Sequence, residues 1–145
     1  RKCPLKHLVF GHDEEMAAWA EAAYPECAPL CRPLTAIGIA EGTDICGVAV
    51  YHNYRQYDIE ITFVTATQKW ATPGTVRALL RYPFIQLGVK RMTGITKKSN
   101  KKARTLMSKL GFVLEGVHPF AAGGSTACTY GLYEKTAKER WLRNG

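Results

Sequence analysis

The most chemically distinctive stretch of the sequence is a run of positive charge at residues 97–104, where five of eight residues are Lys or Arg. Such a run can bind the phosphate groups of a nucleic acid or of an anionic cofactor, or it can be a solvated surface. The whole chain has 20 Lys and Arg against 12 Asp and Glu, a formal net charge of +8. The position of the run in the fold must decide between these alternatives.

The cysteines form an odd, scattered set of five, in which Cys27 and Cys31 are the only close pair. A zinc site needs further ligands at clustered spacing, and His7 and His12 do not supply them. Residues 1–10 lack the apolar core of a secretory signal. We therefore expect free or structural thiols, no metal and a cytoplasmic location. The other cysteines are Cys3, Cys46 and Cys128.

A length of 145 residues predicts a single domain, residues 1–145. With 46% hydrophobic and 22% charged residues, the chain can bury a core without disulfides or metals. Charged, polar or Gly residues interrupt every apolar run before the roughly 18 residues that a membrane span needs. We therefore expect no membrane segment.

The first half of the chain predicts one helix followed by three strands. Met16, Trp19, Ala20 and Ala23 lie at helical spacing within residues 13–23. Alternating or continuous apolar residues then predict strands, the first two of which form a hairpin. These strands are 35–40, 45–51 and 58–64.

The second half alternates helices with strands. Apolar spacing predicts a helix from Gly74 to Gly88, kinked at Pro83, and another that is capped by Ser99 or Asn100 and ends at Gly111. The basic tail after residue 133 is assigned no element. The strands are 91–96, 112–118 and 126–133.

Strands 58–64 and 91–96 flank a helix and should therefore be parallel neighbours joined by a right-handed crossover. The chain predicts an α/β (α+β) fold, with a mixed, mostly antiparallel sheet, one parallel βαβ pair and flanking helices. Ligands of such sheets lie beyond the carboxyl ends of the parallel strands, which here means residues 64–76 and 96–100.

Residues 100–116 contain a spaced pattern, Asn100-x-x-Ala103-x-x-Leu106-x-x-Lys109-Leu110-Gly111-Phe112-x-x-Glu115-Gly116. This pattern resembles the second acetyl-coenzyme A motif of GNAT-type N-acetyltransferases, most closely in the branch that contains ribosomal-protein N-terminal acetyltransferases. The predicted order of elements over residues 35–133 also fits that fold. The resemblance implies acetyl-coenzyme A as co-substrate, no metal, and direct transfer of an acetyl group to a primary amine.

The resemblance also implies a phosphate-binding loop at residues 70–76. Of the family's Gln/Arg-x-x-Gly-x-Gly/Ala pattern only Gly74 is present, and Pro73 donates no N–H. The coenzyme's pyrophosphate would be bound by amides at the start of the helix. Those amides belong to Thr72, Gly74, Thr75 and Val76.

Further coenzyme contacts follow from the same resemblance. The amide of Val64 would polarise the thioester carbonyl, on which negative charge develops in the transition state, and Phe63 and Thr65 would pair with the pantetheine amides. The motif helix would add Asn100 and Ala103. Beside the motif, we expect some cations of the run 97–104 to meet the coenzyme's phosphates, with Arg104 and Lys102 as the candidates, and the rest to be solvated.

An amine must lose a proton before it attacks, so a base or a water chain leading to one is needed. Glu60 is the predicted base, because residues 60–63 resemble the strand that carries the base in several family members, and Asp58 is the reserve. The family's usual tyrosine acid is replaced by Met107. Ser108, Tyr130 or water could substitute, and no general acid is assigned.

The acceptor would be a protein N-terminus, a lysine or a small molecule, with His52, Tyr54, Tyr57 and residues 118–125 as candidate lining. A second hypothesis is a nucleic-acid-binding or inhibitory protein that has this fold without catalysis. An acetyltransferase acting on an amine carried by nucleic acid lies between the two. We expect a monomer or a homodimer.

Overall fold

The computed structural model of the protein describes residues 6–67 and 70–143. The chain divides into two compact units, Arg1–Asn53 with Thr62–Leu79 and Tyr54–Ile61 with Leu80–Gly145. We call these the first and the second unit; strand β4 contributes residues to both. In chain order the strands and helices are β1 (Lys6–Val9), α1 (Asp13–Ala23), β2 (Leu34–Glu41), β3 (Asp44–His52), β4 (Asp58–Thr65), α2 (Pro73–Arg81), β5 (Arg91–Lys97), α3 (Lys101–Leu110), β6 (Val113–Ala122), β7 (Ser125–Tyr133) and α4 (Glu134–Arg140).

The first unit is built on antiparallel strands in the order β1-β2-β3, and the predicted hairpin of β2 and β3 is confirmed. Helix α1 packs on them through Met16, Ala17 and Ala20. Gly38 permits this contact, because a Cβ at that position would lie 2.5 Å from the Met16 sulfur. The prediction that Ala23 lies on the buried face is wrong, since α1 ends there and Ala23 is exposed.

The second unit holds strands in the order β4-β5-β7-β6. Asp58–Ile61 pair in parallel with Arg91–Gly94, and the pairs of β5 with β7 and of β6 with β7 are antiparallel. The predicted mixed sheet with one parallel pair is therefore confirmed. Helix α3 lies on β5, where the absence of a side chain at Gly94 leaves room for the Met107 sulfur.

The helix boundaries follow the residues that predicted them. Helix α2 ends at Arg81 and passes into a π-helical turn, Tyr82–Gln86, around Pro83, as expected where proline removes a backbone donor. Asn100 caps α3, and Gly111 ends it in the left-handed conformation at φ 110°. Strand β1 and helix α4 were not predicted, because both are short and present few buried residues.

The cysteines in the described part of the chain are free thiols: Cys46 and Cys128 are buried, Cys27 is half-buried and Cys31 is exposed. Burial raises the pKa of Cys27 and of Cys46. Cys3 lies outside the described residues. Within residues 6–67 and 70–143, no group of three or more His, Cys, Asp or Glu side chains could hold a metal ion. No helix in that part of the chain is long and apolar enough to cross a bilayer.

Candidate active site

In the first unit, the end of β4 is held to the start of α2 by an aromatic contact. The rings of Phe63 and Trp70 have centroids 4.4 Å apart at an interplanar angle of 49°, and Trp70 is buried. The Thr72 amide donates to the carbonyl of Trp70 at 2.9 Å. This contact places the first turn of α2 close to the strand from which the loop leaves.

The amides of the predicted phosphate loop are mostly engaged within the protein. Thr75 N–H donates to the Thr72 hydroxyl oxygen at 3.2 Å, and Val76 N–H donates to the Thr72 carbonyl at 3.0 Å. The Thr72 amide is also used, since it donates to the Trp70 carbonyl. The prediction that all four amides are available is therefore wrong. The reason is that Thr72 caps the helix through both its hydroxyl and its carbonyl. Gly74 is the one of the four whose N–H donates to no acceptor among the described residues.

Gly74 also faces open space. A Cβ built there would meet no atom within 4 Å. A free N–H at a helix N-terminus, with room for close approach, has the character of an anion-binding position. The first turn of α2 thus offers one backbone donor to an anion, aided by the helix dipole.

Val64 lies three residues past the end of the parallel ladder, whose last pair is Ile61 with Gly94. Its side chain is buried in the core of the first unit, with Met16 and Val50. The next side chain, Thr65, is hydrogen-bonded within the protein. Its hydroxyl contacts the carbonyls of Cys46 and Thr67 and accepts a hydrogen bond from the Thr67 amide. Packing therefore fixes the backbone of β4 where the predicted oxyanion contact lies.

In the second unit, the two carboxylates of β4 differ in their surroundings. Asp58 accepts hydrogen bonds from Arg91 Nη1 at 2.9 Å, Arg55 Nη2 at 2.7 Å and the Thr93 hydroxyl at 2.9 Å. Glu60 is half-exposed and stands opposite Thr93 in the parallel ladder. Asp58 is thus held as an ion-pair partner.

Arg91 is the centre of this network, since it also pairs with Glu115, which in turn accepts from the Tyr133 hydroxyl. Burial of Arg91 disfavours its charge, but its bonds with Glu115 and Asp58 outweigh that effect and raise its pKa. The Arg91 and Tyr133 hydrogen bonds lower the pKa of Glu115. No local sequence pattern predicts this network, because its residues lie far apart in the sequence.

The predicted contacts on α3 are partly used by the protein itself. Asn100 Oδ1 accepts from the Ala103 amide at 3.2 Å, so the predicted cap is confirmed. Arg104 donates through Nε to the Tyr130 hydroxyl at 2.9 Å and through Nη1 to the Lys98 carbonyl at 3.0 Å. Only part of the Arg104 guanidinium is left for a phosphate.

Met107, which occupies the usual acid position, and the two possible substitutes Ser108 and Tyr130 have different environments. Met107 is half-buried with its sulfur over Gly94, and Ser108 is exposed. Tyr130 is buried, and its hydroxyl accepts the Arg104 hydrogen bond. The side chain at position 107 is thus a thioether, which cannot donate a proton.

The proposed acceptor lining is divided between buried and exposed residues. In the first unit His52 is buried at the end of β3, with Nε2 2.9 Å from the Thr62 hydroxyl, and so is not a surface residue. In the second unit Tyr54 and Tyr57 are exposed, and so is Phe120 in the 118–125 segment.

Sequence comparison decides the family. A family model described as an acetyltransferase (GNAT) domain matches residues 9–113. The chain belongs to the GNAT acetyltransferase family. As a GNAT domain it is an N-acetyltransferase that uses acetyl-coenzyme A as its co-substrate.

Solved structures share the fold of this GNAT chain. The spermidine/spermine N-acetyltransferase SpeG from Vibrio cholerae is 14% identical, with TM-score 0.72 and coverage of 94% of this chain and 99% of that one. The yncA protein from Salmonella typhimurium, assigned as an acetyltransferase and solved with its cofactor acetyl-CoA, is 15% identical (TM-score 0.67, coverage 89% and 94%). A GNAT acetyltransferase from Bacillus anthracis is 20% identical (TM-score 0.60), with coverage of 69% of this chain and 66% of that one. No curated protein sequence matches the chain.

Proposed function

We propose that this GNAT domain transfers the acetyl group of acetyl-coenzyme A directly to a primary amine, with Glu60 as the base and the Val64 amide as the contact to the developing oxyanion. The observation that carries the coenzyme part of the proposal is the start of α2, where the Gly74 N–H donates to no acceptor among the described residues and a Cβ at Gly74 would meet no atom within 4 Å. Bound there, acetyl-coenzyme A supplies an activated acetyl group as a thioester.

Val64 is suited to its role because packing holds it. Its side chain is buried, and the hydroxyl of the following Thr65 contacts the Cys46 carbonyl at 3.2 Å. A backbone donor that does not reorganise during the reaction stabilises developing charge most effectively. Phe63 and Thr65 remain the proposed contacts to the pantetheine, and Asn100, Ala103 and Arg104 the proposed contacts from α3.

Glu60 would take the proton of the amine, directly or through a short water chain. It precedes Val64 by four residues on β4. Asp58 is less suited, because Arg55, Arg91 and Thr93 already occupy its oxygens.

The acceptor class is a primary amine on a protein N-terminus, a lysine or a small molecule. A protein N-terminus corresponds to the ribosomal-protein branch that residues 100–116 resemble, and a polyamine corresponds to the SpeG neighbour. The cytoplasm is the proposed location, supported by the free thiols of the described residues.

The test is a calorimetric titration of the protein with acetyl-coenzyme A, followed by mass spectrometry of amine mixtures incubated with protein and labelled coenzyme. We expect saturable binding and a product heavier by one labelled acetyl group. Absence of binding at high micromolar coenzyme would overturn the proposal. Binding without any acetylated product would instead favour a non-catalytic protein of this fold.

A further inference from the structure

The two units differ sharply in charge. The second unit contains fourteen Lys and Arg against five Asp and Glu, whereas the first contains six against seven. Within the second unit, residues 92–114 include six Lys and Arg and no acidic residue. The excess charge of the protein is thus concentrated around α3.

Three of the five acidic side chains of the second unit, Asp58, Glu115 and Glu134, are paired with cations outside α3. Asp58 is bound by Arg55 and Arg91, and Glu134 by Lys90 and Lys138. In the described part of the chain, no ion pair reaches the exposed lysines of α3 and its preceding loop. Those are Lys98, Lys101, Lys102 and Lys109.

Helix α4 extends this positive region beyond the carboxyl end of α3. Trp141 Nε1 donates to the carbonyl of Leu110 at 2.9 Å, which fixes the end of α4 against the end of α3. Arg140 lies over Gly111, with Nη1 2.9 Å from the position that a Cβ would take. We use the name α3–α4 basic surface for Lys98, Lys101, Lys102, Lys109 and Arg140.

The surface is held rigidly at its other end. The Lys98 amide donates to the Thr126 carbonyl at 2.8 Å, and Arg104 donates to the Lys98 carbonyl. The Asn100 cap fixes the first turn of α3. Ten helical residues separate the two ends by about 15 Å.

We propose that the α3–α4 basic surface binds the phosphate backbone of a nucleic acid. The surface presents cations at both ends of α3, which matches a ligand with phosphates along its length. A membrane surface is disfavoured, because the large exposed hydrophobic side chains of the described residues lie outside α3 and α4. Exposed lysines act as point charges, so the binding is independent of sequence and strongly dependent on salt.

This inference goes beyond the proposed acetyl transfer and does not depend on it. The coenzyme phosphates are assigned to the first turn of α2 in the first unit, and the predicted α3 contacts lie at its first turn. Lys109 and Arg140, at the far end of α3, have no role in that assignment.

The experiment measures fluorescence anisotropy of labelled single-stranded RNA and duplex DNA, each about 20 nucleotides long, against protein between about 50 and 200 mM salt. Five phosphate contacts give a slope of about −4.5 for log K against log salt on duplex DNA. The variant Lys109→Gln/Arg140→Gln should make that slope less negative by about 1.8. The control Lys6→Gln/Arg55→Gln removes the same charge from side chains that are paired with Glu41 and Asp58 elsewhere, and should leave the slope unchanged.

Two results would overturn the proposal: no binding at about 50 mM salt, or equal weakening by variant and control. Equal affinity for polyglutamate or for anionic vesicles would assign the surface to an acidic protein or a membrane instead. Circular dichroism checks that each variant is folded. If Arg140→Gln unfolds the protein, Lys101→Gln/Lys109→Gln, both on exposed positions, gives the same test.

Discussion

The carboxylate of Glu115 lies over Gly131 of the neighbouring strand, so that a Cβ at Gly131 would be 2.7 Å from both carboxylate oxygens. Glu115 cannot swing away freely, because Arg91 and Tyr133 both bind it. Gly131→Ala should therefore lower the free energy of unfolding by about 1–3 kcal/mol, measured by urea denaturation. Glu115→Ala/Gly131→Ala should recover part of that loss; additive single effects would contradict the contact.

Acid should destabilise the protein partly through Glu115. Its pKa is lowered in the folded state by Arg91 and Tyr133, so its contribution to stability is complete above the unfolded value of about 4.3 and disappears as the pH falls through the folded pKa. When urea unfolding is measured across that pH range, the free energy of unfolding should fall less steeply with decreasing pH for Glu115→Gln than for the wild type. Identical curves would mean that the ion pair adds no measurable stability. Glu134→Gln is a comparison, because Lys138 and Lys90 lower the pKa of Glu134 in the same direction.

Gly74→Ala separates folding from coenzyme binding. The added methyl meets nothing within 4 Å, and alanine is the better helix former, so the unfolding free energy should rise by about 0.5–1 kcal/mol. If a coenzyme phosphate approaches the Gly74 amide, the same methyl should raise the Kd for acetyl-coenzyme A by about 10-fold or more. Calorimetry measures the Kd for acetyl-coenzyme A, and thermal melts of the same sample measure stability. An unchanged Kd for acetyl-coenzyme A would exclude Gly74 from the coenzyme site.

Asn100 can be tested for its two roles independently. Asn100→Ala removes the cap on the Ala103 amide and should cost about 1 kcal/mol of stability. Asn100→Asp keeps an oxygen at the cap and should leave stability near that of the wild type. If the side-chain amide also contacts coenzyme, the Asp variant alone should show weaker acetyl-coenzyme A binding at normal stability. Wild-type affinity in the Asp variant would confine Asn100 to capping.

Glu60→Gln should lower kcat by about 10²–10⁴-fold while the Kd for acetyl-coenzyme A changes little, because the base acts on the amine. The pH–rate profile should lose its acidic limb. The matched control is Glu139→Gln, an exposed carboxylate on α4. A Glu60→Gln enzyme with wild-type turnover across the pH range would exclude Glu60 as the base.

Local patterns were sufficient for most of the elements. The spacing of Met16 and Ala20 predicted α1, Asn100 and Gly111 marked the ends of α3, and Pro83 marked the break after α2. Each of these signals acts between residues close in sequence, so it can be recognised without tertiary contacts. Strand β1 and helix α4 carry no such signal, because they are short and are stabilised by the strands beside them.

The sequence by itself determined the family motif at residues 100–116, the order of the main elements and the concentration of positive charge around α3. Only the tertiary structure decided which polar groups already have partners within the protein. Thr72 accepts hydrogen bonds from amides that were predicted to bind phosphate. Arg91 binds Asp58, which lies 33 residues away in the sequence. The physical reason is that a hydrogen-bond donor or a carboxylate has limited capacity. Which partner fills that capacity depends on residues that only the fold brings together.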